Sequence, residues 1–141
     1  MDERLTCPYC QGGELLAKFG IKLAELDHSD LILFKEQSHP GRVIVACKDH
    51  VREIAELSDE ERNDFMADVV RVSRAVSRAF KPAKMNYGMY SDKLHHLHVH
   101  MVPKYEDGFE WGGVFAMNPE RTFLTDEEYR EIGEKILAEL A

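Results

Sequence analysis

The sequence predicts an α+β domain built on a five-stranded antiparallel sheet. Short segments rich in apolar and β-branched residues are separated by turns of hairpin length, which is typical of antiparallel strands. Two further segments, one long and one at the C-terminal end, carry apolar residues at helical spacing. The 141 residues contain no internal repeat and no Pro/Gly/Ser-rich linker, so residues 1–141 are predicted to form a single domain.

The first third of the chain predicts a short helix followed by three strands. Residues 14–19 are the candidate helix. The strands are predicted at residues 21–25, 31–34 and 42–47, with the turn-like sequences DHSD and HPG between them. Cys47 alternates with two valines on the third strand and is predicted to be a core residue.

The long helix is predicted over residues 58–81. Ser58 and Glu61 have the spacing of a capping box at its start, and Pro82 stops it because proline has no amide hydrogen for the helix ladder. One apolar stripe runs along it, formed by Phe65, Val69, Val72, Val76 and Phe80.

The last part of the chain predicts two strands, an irregular segment and a helix. The strands are predicted at residues 85–90 and 94–102, the second ending at Pro103. Residues 105–124, rich in glycine and aromatic residues, are predicted to be ordered but irregular. The C-terminal helix, residues 125–141, begins at Thr125 with Glu128 completing its cap.

The composition limits the partners that the chain can bind. A net charge of −8 disfavours nucleic acid and anionic membrane surfaces, which attract basic faces. No apolar run approaches the roughly 20 residues of a membrane-spanning helix. Three cysteines without an apolar signal segment favour a reducing compartment, so we expect a cytoplasmic protein.

The most informative stretch is HHLHVHMVP, residues 95–103. Because side chains alternate across a strand, His96, His98 and His100 are predicted to form a row on one face. Leu97, Val99 and Met101 then point into the core, and His95 is interpreted as incidental. A row of imidazoles can bind a metal ion or perform acid–base and nucleophilic work on phosphate, and the alternation does not distinguish these uses.

This stretch resembles the signature of the histidine triad (HIT) nucleotide hydrolases and transferases, in which three histidines alternate with apolar residues. HPGRVIVACKDH also resembles the strand that precedes the long helix in that family, and His50 lies at its end. The resemblance extends over roughly residues 5–105 and implies the HIT-like fold, a nucleotide substrate of the adenosine type and a homodimer.

The resemblance also implies roles for individual residues. His98 would attack the α-phosphorus and form a nucleotidyl-histidine intermediate, with the backbone carbonyl of His96 orienting its ring. His100 would stabilise phosphoryl charge and help protonate the leaving group. Residues expected to bind the substrate are Asn86, Ser91 and Lys93, the last two replacing a missing GQS or GQT sequence, and Glu36 stands where the family has a ribose-binding aspartate.

The sequence CPYC at residues 7–10 has three possible uses: a redox pair, half of a metal site, or two free cysteines packed against the sheet. A glutaredoxin-like pair follows a first strand, and the six residues before Cys7 do not provide one. By its resemblance to bacterial HIT proteins, Cys7 and Cys10 would bind one structural zinc ion together with His50 and His96.

The leading prediction is therefore a hydrolase or nucleotidyl transferase that cleaves dinucleoside polyphosphates or nucleoside phosphoramidates. Two alternatives stay open: a nucleotide-binding adaptor of the same fold without turnover, and a hydrolase that uses the histidine row to hold a catalytic metal ion. In the predicted homodimer, Trp111 and Phe109 are expected near the partner chain or at the mouth of a pocket.

Overall fold

The computed structural model describes residues 2–140 and contains one antiparallel sheet flanked by helices. The five strands lie in the order β1-β2-β3-β5-β4, and every neighbouring pair is antiparallel. The strands are β1 (Gly20–Glu25), β2 (Ser29–Phe34), β3 (Val43–Cys47), β4 (Lys84–Gly88) and β5 (His98–Lys104). The α+β class and the five-stranded sheet are confirmed.

The two long helices begin where the sequence predicts. In α3 (Asp59–Phe80), Ser58 and Glu61 form both hydrogen bonds of the capping box. The last helix, α4 (Asp126–Leu140), is capped by Thr125 and Glu128 in the same way. Short helices α1 (Pro8–Gln11) and α2 (Gly13–Ala17) precede β1. The helix predicted at residues 14–19 is therefore displaced, and α1 was not predicted.

The main core lies between one face of the sheet and the helices α3 and α4. Its buried side chains include Leu31, Val45, Phe65, Val99 and Ile136. Cys47, only 5% exposed, belongs to it as predicted. The opposite face carries a smaller apolar cluster next to α1 and α2, made by Leu16, Ile32, Phe34, Ile44 and Ala46, with Tyr9 and Phe19 packed against it.

Strand β5 differs from its predicted range of 94–102 at both ends. The backbone amide of Leu97 donates to the carbonyl oxygen of Val51 rather than to a neighbouring strand, so regular pairing begins only at His98. At the other end the strand continues to Lys104. Pro103 is tolerated there because β3 begins at Val43, opposite Met101, which leaves Pro103 a partner on β4 only.

Strand β4 ends at Gly88, two residues earlier than predicted. A side chain at position 88 would meet the rings of Tyr90 and Phe115, at 2.5 and 2.8 Å from its Cβ atom. Only glycine allows these rings to approach the strand so closely. Residues 89 and 90 then leave the sheet.

The irregular segment 105–124 is attached to the sheet at both ends. The buried Lys104 ammonium donates to the carbonyl oxygens of Glu110 and Gly113. The carboxylate of Glu36 accepts hydrogen bonds from the backbone amides of Arg121 and Thr122, at 2.7 and 3.0 Å. The segment therefore covers the sheet face that carries the smaller apolar cluster. Within residues 2–140, no helix is both long and apolar enough to cross a membrane.

Candidate active site and metal centre

The three alternating histidines share one face of the sheet, as predicted. His98 and His100 are adjacent on β5, with ring centroids 5.3 Å apart, and both are buried. The intervening residues Leu97, Val99 and Met101 belong to the main core on the other face. The period-two alternation of the strand is the reason for this separation.

His98 is held by backbone geometry. Its Nδ1 atom lies 2.6 Å from the backbone carbonyl oxygen of His96, so Nδ1 carries the proton and donates it. The Oγ atom of Ser91 donates to the same carbonyl at 3.2 Å and lies 3.3 Å from His98 Nδ1. Burial lowers the pKa of His98 below its ordinary value. The ring is thus neutral, and its Nε2 atom has a free lone pair.

His100 has a partner that the sequence analysis missed. The Nη2 atom of Arg42 lies 3.1 Å from His100 Nδ1, and the guanidinium also donates to the carbonyl oxygens of Ala116 and Met117. Burial, and after it the positive charge of Arg42, lowers the pKa of His100 to about 2. The sequence feature that could have indicated this contact is a single arginine, Arg42, directly before the apolar sequence VIVAC.

Tyr9, between the two cysteines of CPYC, was also missed. Its ring centroid lies 4.8 Å from that of His98 and 5.2 Å from that of His96, and Phe19 contacts its other side at 5.8 Å. The turn of helix in α1 directs this side chain toward the histidines. The segment that contains the cysteines therefore also contributes a wall beside His98.

The four residues predicted to bind zinc lie together. One ligand atom from each of Cys7, Cys10, His50 and His96 lies within 4.8 Å of every other. The sulfur of Cys7 is 3.4 Å from His96 Nδ1, the sulfur of Cys10 is 3.2 Å from His50 Nδ1, and the two Nδ1 atoms are 3.1 Å apart. Tetrahedral zinc, with bonds of about 2.3 Å to sulfur and 2.0 Å to nitrogen, requires similar separations.

Hydrogen bonds on the far side of each imidazole leave the correct atoms facing this cluster. His96 Nε2 donates to the carbonyl oxygen of Cys47 at 2.6 Å, so its Nδ1 lone pair points to the sulfurs. His50 Nε2 lies 3.3 Å from a carboxylate oxygen of Glu3, which orients His50 in the same way. Such second partners are usual for histidines that bind a metal ion. The donor set of two thiols and two imidazoles fits a closed zinc site.

The three residues predicted to bind substrate lie in three different places. Asn86 lies on β4 and lines an open cleft of about 470 Å³ with Tyr87, Tyr90 and Phe115. Ser91 contacts the histidines as described. Lys93 is exposed and lines a separate cleft with Cys7, His50 and His95, beside the cysteine–histidine cluster.

Glu36 is not free to bind a ribose. It is 2% exposed, and its two carboxylate oxygens accept four hydrogen bonds, from the amide and hydroxyl of Ser38 and the amides of Arg121 and Thr122. The suggested replacement of the family aspartate by Glu36 is therefore wrong. Its carboxylate instead joins β2 to the irregular segment.

The sheet order, the row of histidines on β5 and the long helix on the opposite face together define a small α+β protein of the histidine-triad type. Residues 20–107 match the HIT domain, and the chain belongs to that family. This confirms the predicted fold.

Relatives of known name cover nearly the whole chain. An adenosine 5′-monophosphoramidase, hnt1 of Schizosaccharomyces pombe, is 27% identical over 139 residues, which are 96% of this chain and 99% of the relative. Protein hit of Bacillus subtilis is 25% identical over 125 residues and covers 85% of each chain.

Solved structures agree with the fold. A histidine triad protein from Marinobacter aquaeolei has a TM-score of 0.82 at 26% identity, covering 93% of this chain and 98% of its own. A zinc-bound histidine triad family protein from Mycobacterium smegmatis has a TM-score of 0.68 at 19% identity, covering 97% and 94%. At 19% identity, the similarity to the Mycobacterium smegmatis protein shows only a shared fold.

Proposed function

We propose that the protein hydrolyses or transfers nucleotidyl groups, cleaving a dinucleoside polyphosphate or a nucleoside phosphoramidate at the α-phosphate. The observation that carries this is the 2.6 Å hydrogen bond from His98 Nδ1 to the His96 carbonyl oxygen, which leaves a neutral Nε2 lone pair on a buried ring. The kinship with an adenosine 5′-monophosphoramidase supports a substrate of the adenosine type.

In this mechanism His98 is the nucleophile. Its Nε2 lone pair forms a bond to the α-phosphorus while the bond from phosphorus to the leaving group breaks, and the leaving group keeps the bonding electron pair. The positive charge on the imidazole is stabilised by the Nδ1 hydrogen bond to the His96 carbonyl oxygen. Water then attacks phosphorus and the bond to His98 breaks, with its electron pair returning to Nε2. The nucleotide leaves with the hydroxyl group of that water, and the remaining proton of the water passes to solvent.

The residues around His98 bind the substrate or orient the nucleophile in this mechanism. His100, beside His98, stabilises the charge on phosphoryl oxygens. Asn86, in the open cleft along β4, is kept as a substrate-binding residue. Ser91 acts by holding the His96 carbonyl and the His98 ring, because its hydroxyl contacts both. A contribution of Lys93 to phosphate binding stays a prediction.

The covalent intermediate gives the most direct test. The purified protein is mixed briefly with an adenylate donor, such as diadenosine tetraphosphate or adenosine phosphoramidate, quenched and examined by mass spectrometry. We expect the mass of one adenylyl group on the peptide that contains His98, and none in His98→Ala. His98→Ala should also lower the rate by several orders of magnitude while the protein stays folded. Cleavage by His98→Ala at the wild-type rate would contradict the mechanism.

Two alternatives are less well supported. A metal-dependent hydrolase would need lone pairs of several imidazoles of the row directed at one ion. His96 Nδ1 faces the cysteine sulfurs and His100 Nδ1 faces Arg42, so His98 Nε2 is left without a second ligand of the row. Activity that survives chelation would exclude it. For an adaptor without turnover, no ordering of the His98 ring would be needed, whereas Ser91 and the His96 carbonyl both restrain it.

We also propose one structural zinc ion per chain, bound by Cys7, Cys10, His50 and His96. Support comes from the ligand atoms, which all lie within 4.8 Å of one another, and from the hydrogen bonds that orient both imidazoles. Zinc bound there would join the N-terminal segment to the loops after β3 and before β5 and would not touch the substrate.

We propose a homodimer formed through α3 and β4. β4 is an edge strand, and side chains beside it are exposed although they are large and apolar: Val70 at 43%, Tyr87 at 53% and Met89 at 47%. The expected placement of Phe109 and Trp111 near the partner is weaker. Phe109 already packs between His39 and Arg121 of its own chain, whereas Trp111 is 42% exposed.

A further inference from the structure

Arg42 is a buried cation without a carboxylate partner. Its side chain is fully buried, and none of the ion pairs among residues 2–140 includes it. Its guanidinium lies over the rings of Phe34 and Phe115, at 4.2 and 4.9 Å from their centroids. Its Nε atom has no hydrogen-bond partner. A charge in such surroundings is costly, so an interaction with an anionic ligand would compensate for it.

The contact between Arg42 and His100 fixes the proton on the imidazole. A guanidinium only donates hydrogen bonds, so at 3.1 Å the His100 Nδ1 atom must accept one. Neutral His100 therefore carries its proton on Nε2. His98 has the opposite tautomer, since its Nδ1 donates to the His96 carbonyl. The two neighbouring rings thus offer one lone pair and one N–H group at their Nε2 atoms.

We propose that Arg42 is a positioning residue that holds His100 as a neutral Nε2–H donor to a phosphoryl oxygen, and that His100 does not give a proton to the leaving group. This rests on the proposed function, in which a phosphoryl group lies beside these rings. It narrows the substrates to those whose leaving group departs without a proton from His100.

The proton balance of the reaction explains this restriction. If His100 gave up its Nε2 proton, it would become an imidazolate, which is a much stronger base than a departing phosphate. If it instead began as an imidazolium, its extra proton would occupy Nδ1, where the Arg42 cation lies. A polyphosphate leaves as a stable anion and takes no proton. A phosphoramidate leaves as a neutral amine when its nitrogen is protonated by solvent before the bond breaks. An alkoxide leaving group has neither route, because it is not a stable anion and is not protonated by solvent before the bond breaks.

Three measurements test this assignment. The first is the ¹⁵N NMR spectrum of His100 in the zinc-loaded wild-type protein, assigned with His100→Asn. We expect a proton on Nε2 and an accepting Nδ1. A proton on Nδ1 would overturn the assignment. The NMR result does not depend on activity, so it tests the tautomer of His100 even in a protein that cleaves no adenylate. Absence of cleavage would reject the proposed function and not the tautomer.

The second measurement uses adenosine 5′-phosphate aryl esters, from p-nitrophenyl to phenyl, with the methyl ester as the extreme case. We expect the rate of formation of the nucleotidyl intermediate to fall steeply as the leaving group becomes more basic, with the methyl ester uncleaved. A rate that is insensitive to the leaving group would reveal proton donation by the enzyme and would reject the assigned role of His100.

The third measurement compares Arg42→Met, which has no hydrogen-bond donor, with Arg42→Lys. Without a donor to its Nδ1 atom, His100 is no longer held as an Nε2–H donor to the phosphoryl oxygen, so Arg42→Met should lower kcat about 100-fold and change KM little. Lysine retains a positive donor and should recover part of kcat. An unchanged kcat in a folded Arg42→Met protein would overturn the assignment. If Arg42→Met fails to fold, the NMR spectrum and the leaving-group series of the wild-type protein decide the question.

Discussion

The ring of Tyr9 packs on the ring of His98, with centroids 4.8 Å apart and planes inclined by 31°. Tyr9 lies between Cys7 and Cys10, which form half of the proposed zinc site. The segment that carries the cysteines is therefore also a wall of the proposed active site. Two residues of the proposed metal site and a residue that contacts the proposed nucleophile occur within four positions.

Replacement of Tyr9 tests this wall. An aromatic pair contributes about 0.5–1.5 kcal/mol, so Tyr9→Ala should lower kcat/KM for adenylate cleavage up to about tenfold. Tyr9→Phe keeps the ring and serves as the matched control, with activity close to wild type. Zinc content is measured in both variants. Wild-type kcat/KM in Tyr9→Ala with its zinc retained would contradict a role of the ring.

Loss of one zinc ligand should affect stability more than chemistry. Cys7→Ser should abolish zinc binding and lower the free energy of unfolding by on the order of 3 kcal/mol or more. Cys47→Ala, a change of a cysteine outside the cluster, should keep one zinc ion per chain. Elemental analysis and urea denaturation provide the two measurements, with activity expressed per folded molecule. A well-folded wild-type protein without zinc, or a Cys7→Ser protein that keeps its zinc, would refute the site. Wild-type stability in a zinc-free Cys7→Ser protein would refute its structural role.

Stability should decrease as the pH falls below about 6.5, earlier than carboxylate titration would cause. His100 faces Arg42 and His98, and its pKa is lowered to about 2 in the folded protein. The unfolded chain therefore binds a proton below about pH 6.5 that the folded chain does not. Between pH 6.5 and 5 this difference should remove about 2 kcal/mol.

The contribution of His100 can be separated from that of the other histidines. His100→Asn retains an acceptor for Arg42 and has no titrating ring, so its stability should decrease about 2 kcal/mol less than that of the wild type over this interval. Urea denaturation of both zinc-loaded proteins at pH 6.5 and pH 5 gives the comparison. Equal losses in the two proteins would show that His100 is not the titrating group.

Glu36→Gln distinguishes a structural carboxylate from a ribose ligand. The buried carboxylate accepts four hydrogen bonds, and its loss should lower stability by about 1–3 kcal/mol. The ratio of KM values for 2′-deoxy and ribose substrates should stay unchanged. A ratio that falls to one would reassign Glu36 to the ribose. The exposed Glu131→Gln provides the control for loss of one charge.

Val70→Arg tests the proposed dimer. An arginine at this exposed position on α3 should prevent packing beside β4 and give a 16.2 kDa species at micromolar concentration in sedimentation. Val114→Arg is the control, because Val114 is 79% exposed on the irregular segment, and it should remain dimeric. A wild-type protein that sediments as a monomer at that concentration would disprove the dimer.

The features that could be predicted from the sequence are those that depend on residues close together along the chain. Alternation along residues 96–101 was sufficient to place three histidines on one face, and the capping box at Ser58 defined where α3 begins. The cluster of Cys7, Cys10, His50 and His96 was predicted by family resemblance rather than by geometry. The start of β5 was missed because the amide of Leu97 bonds to Val51, a partner that no local pattern indicates.

Contacts between distant positions were beyond sequence reasoning. Arg42 and His100 are 58 residues apart, and only the pairing of β3 with β5 brings them together. The structural role of Glu36 was not predicted for the same reason, since its partners at positions 121 and 122 come from the irregular segment. A charged residue in an apolar strand signals that a partner exists without identifying it.

His96 has two separate connections. Its side chain faces the sulfurs of the cluster, and its backbone carbonyl accepts a hydrogen bond from His98 Nδ1. Substitutions at this position should therefore be pleiotropic, because they remove a proposed metal ligand and also affect the residue whose carbonyl orients the proposed nucleophile. An inactive His96 allele would not reveal which defect caused the phenotype. Substitutions of Cys10 remove only a proposed metal ligand, and substitutions of Ser91 remove only the hydroxyl that contacts the His96 carbonyl and the His98 ring. Comparing the two in an epistasis experiment would assign the phenotype.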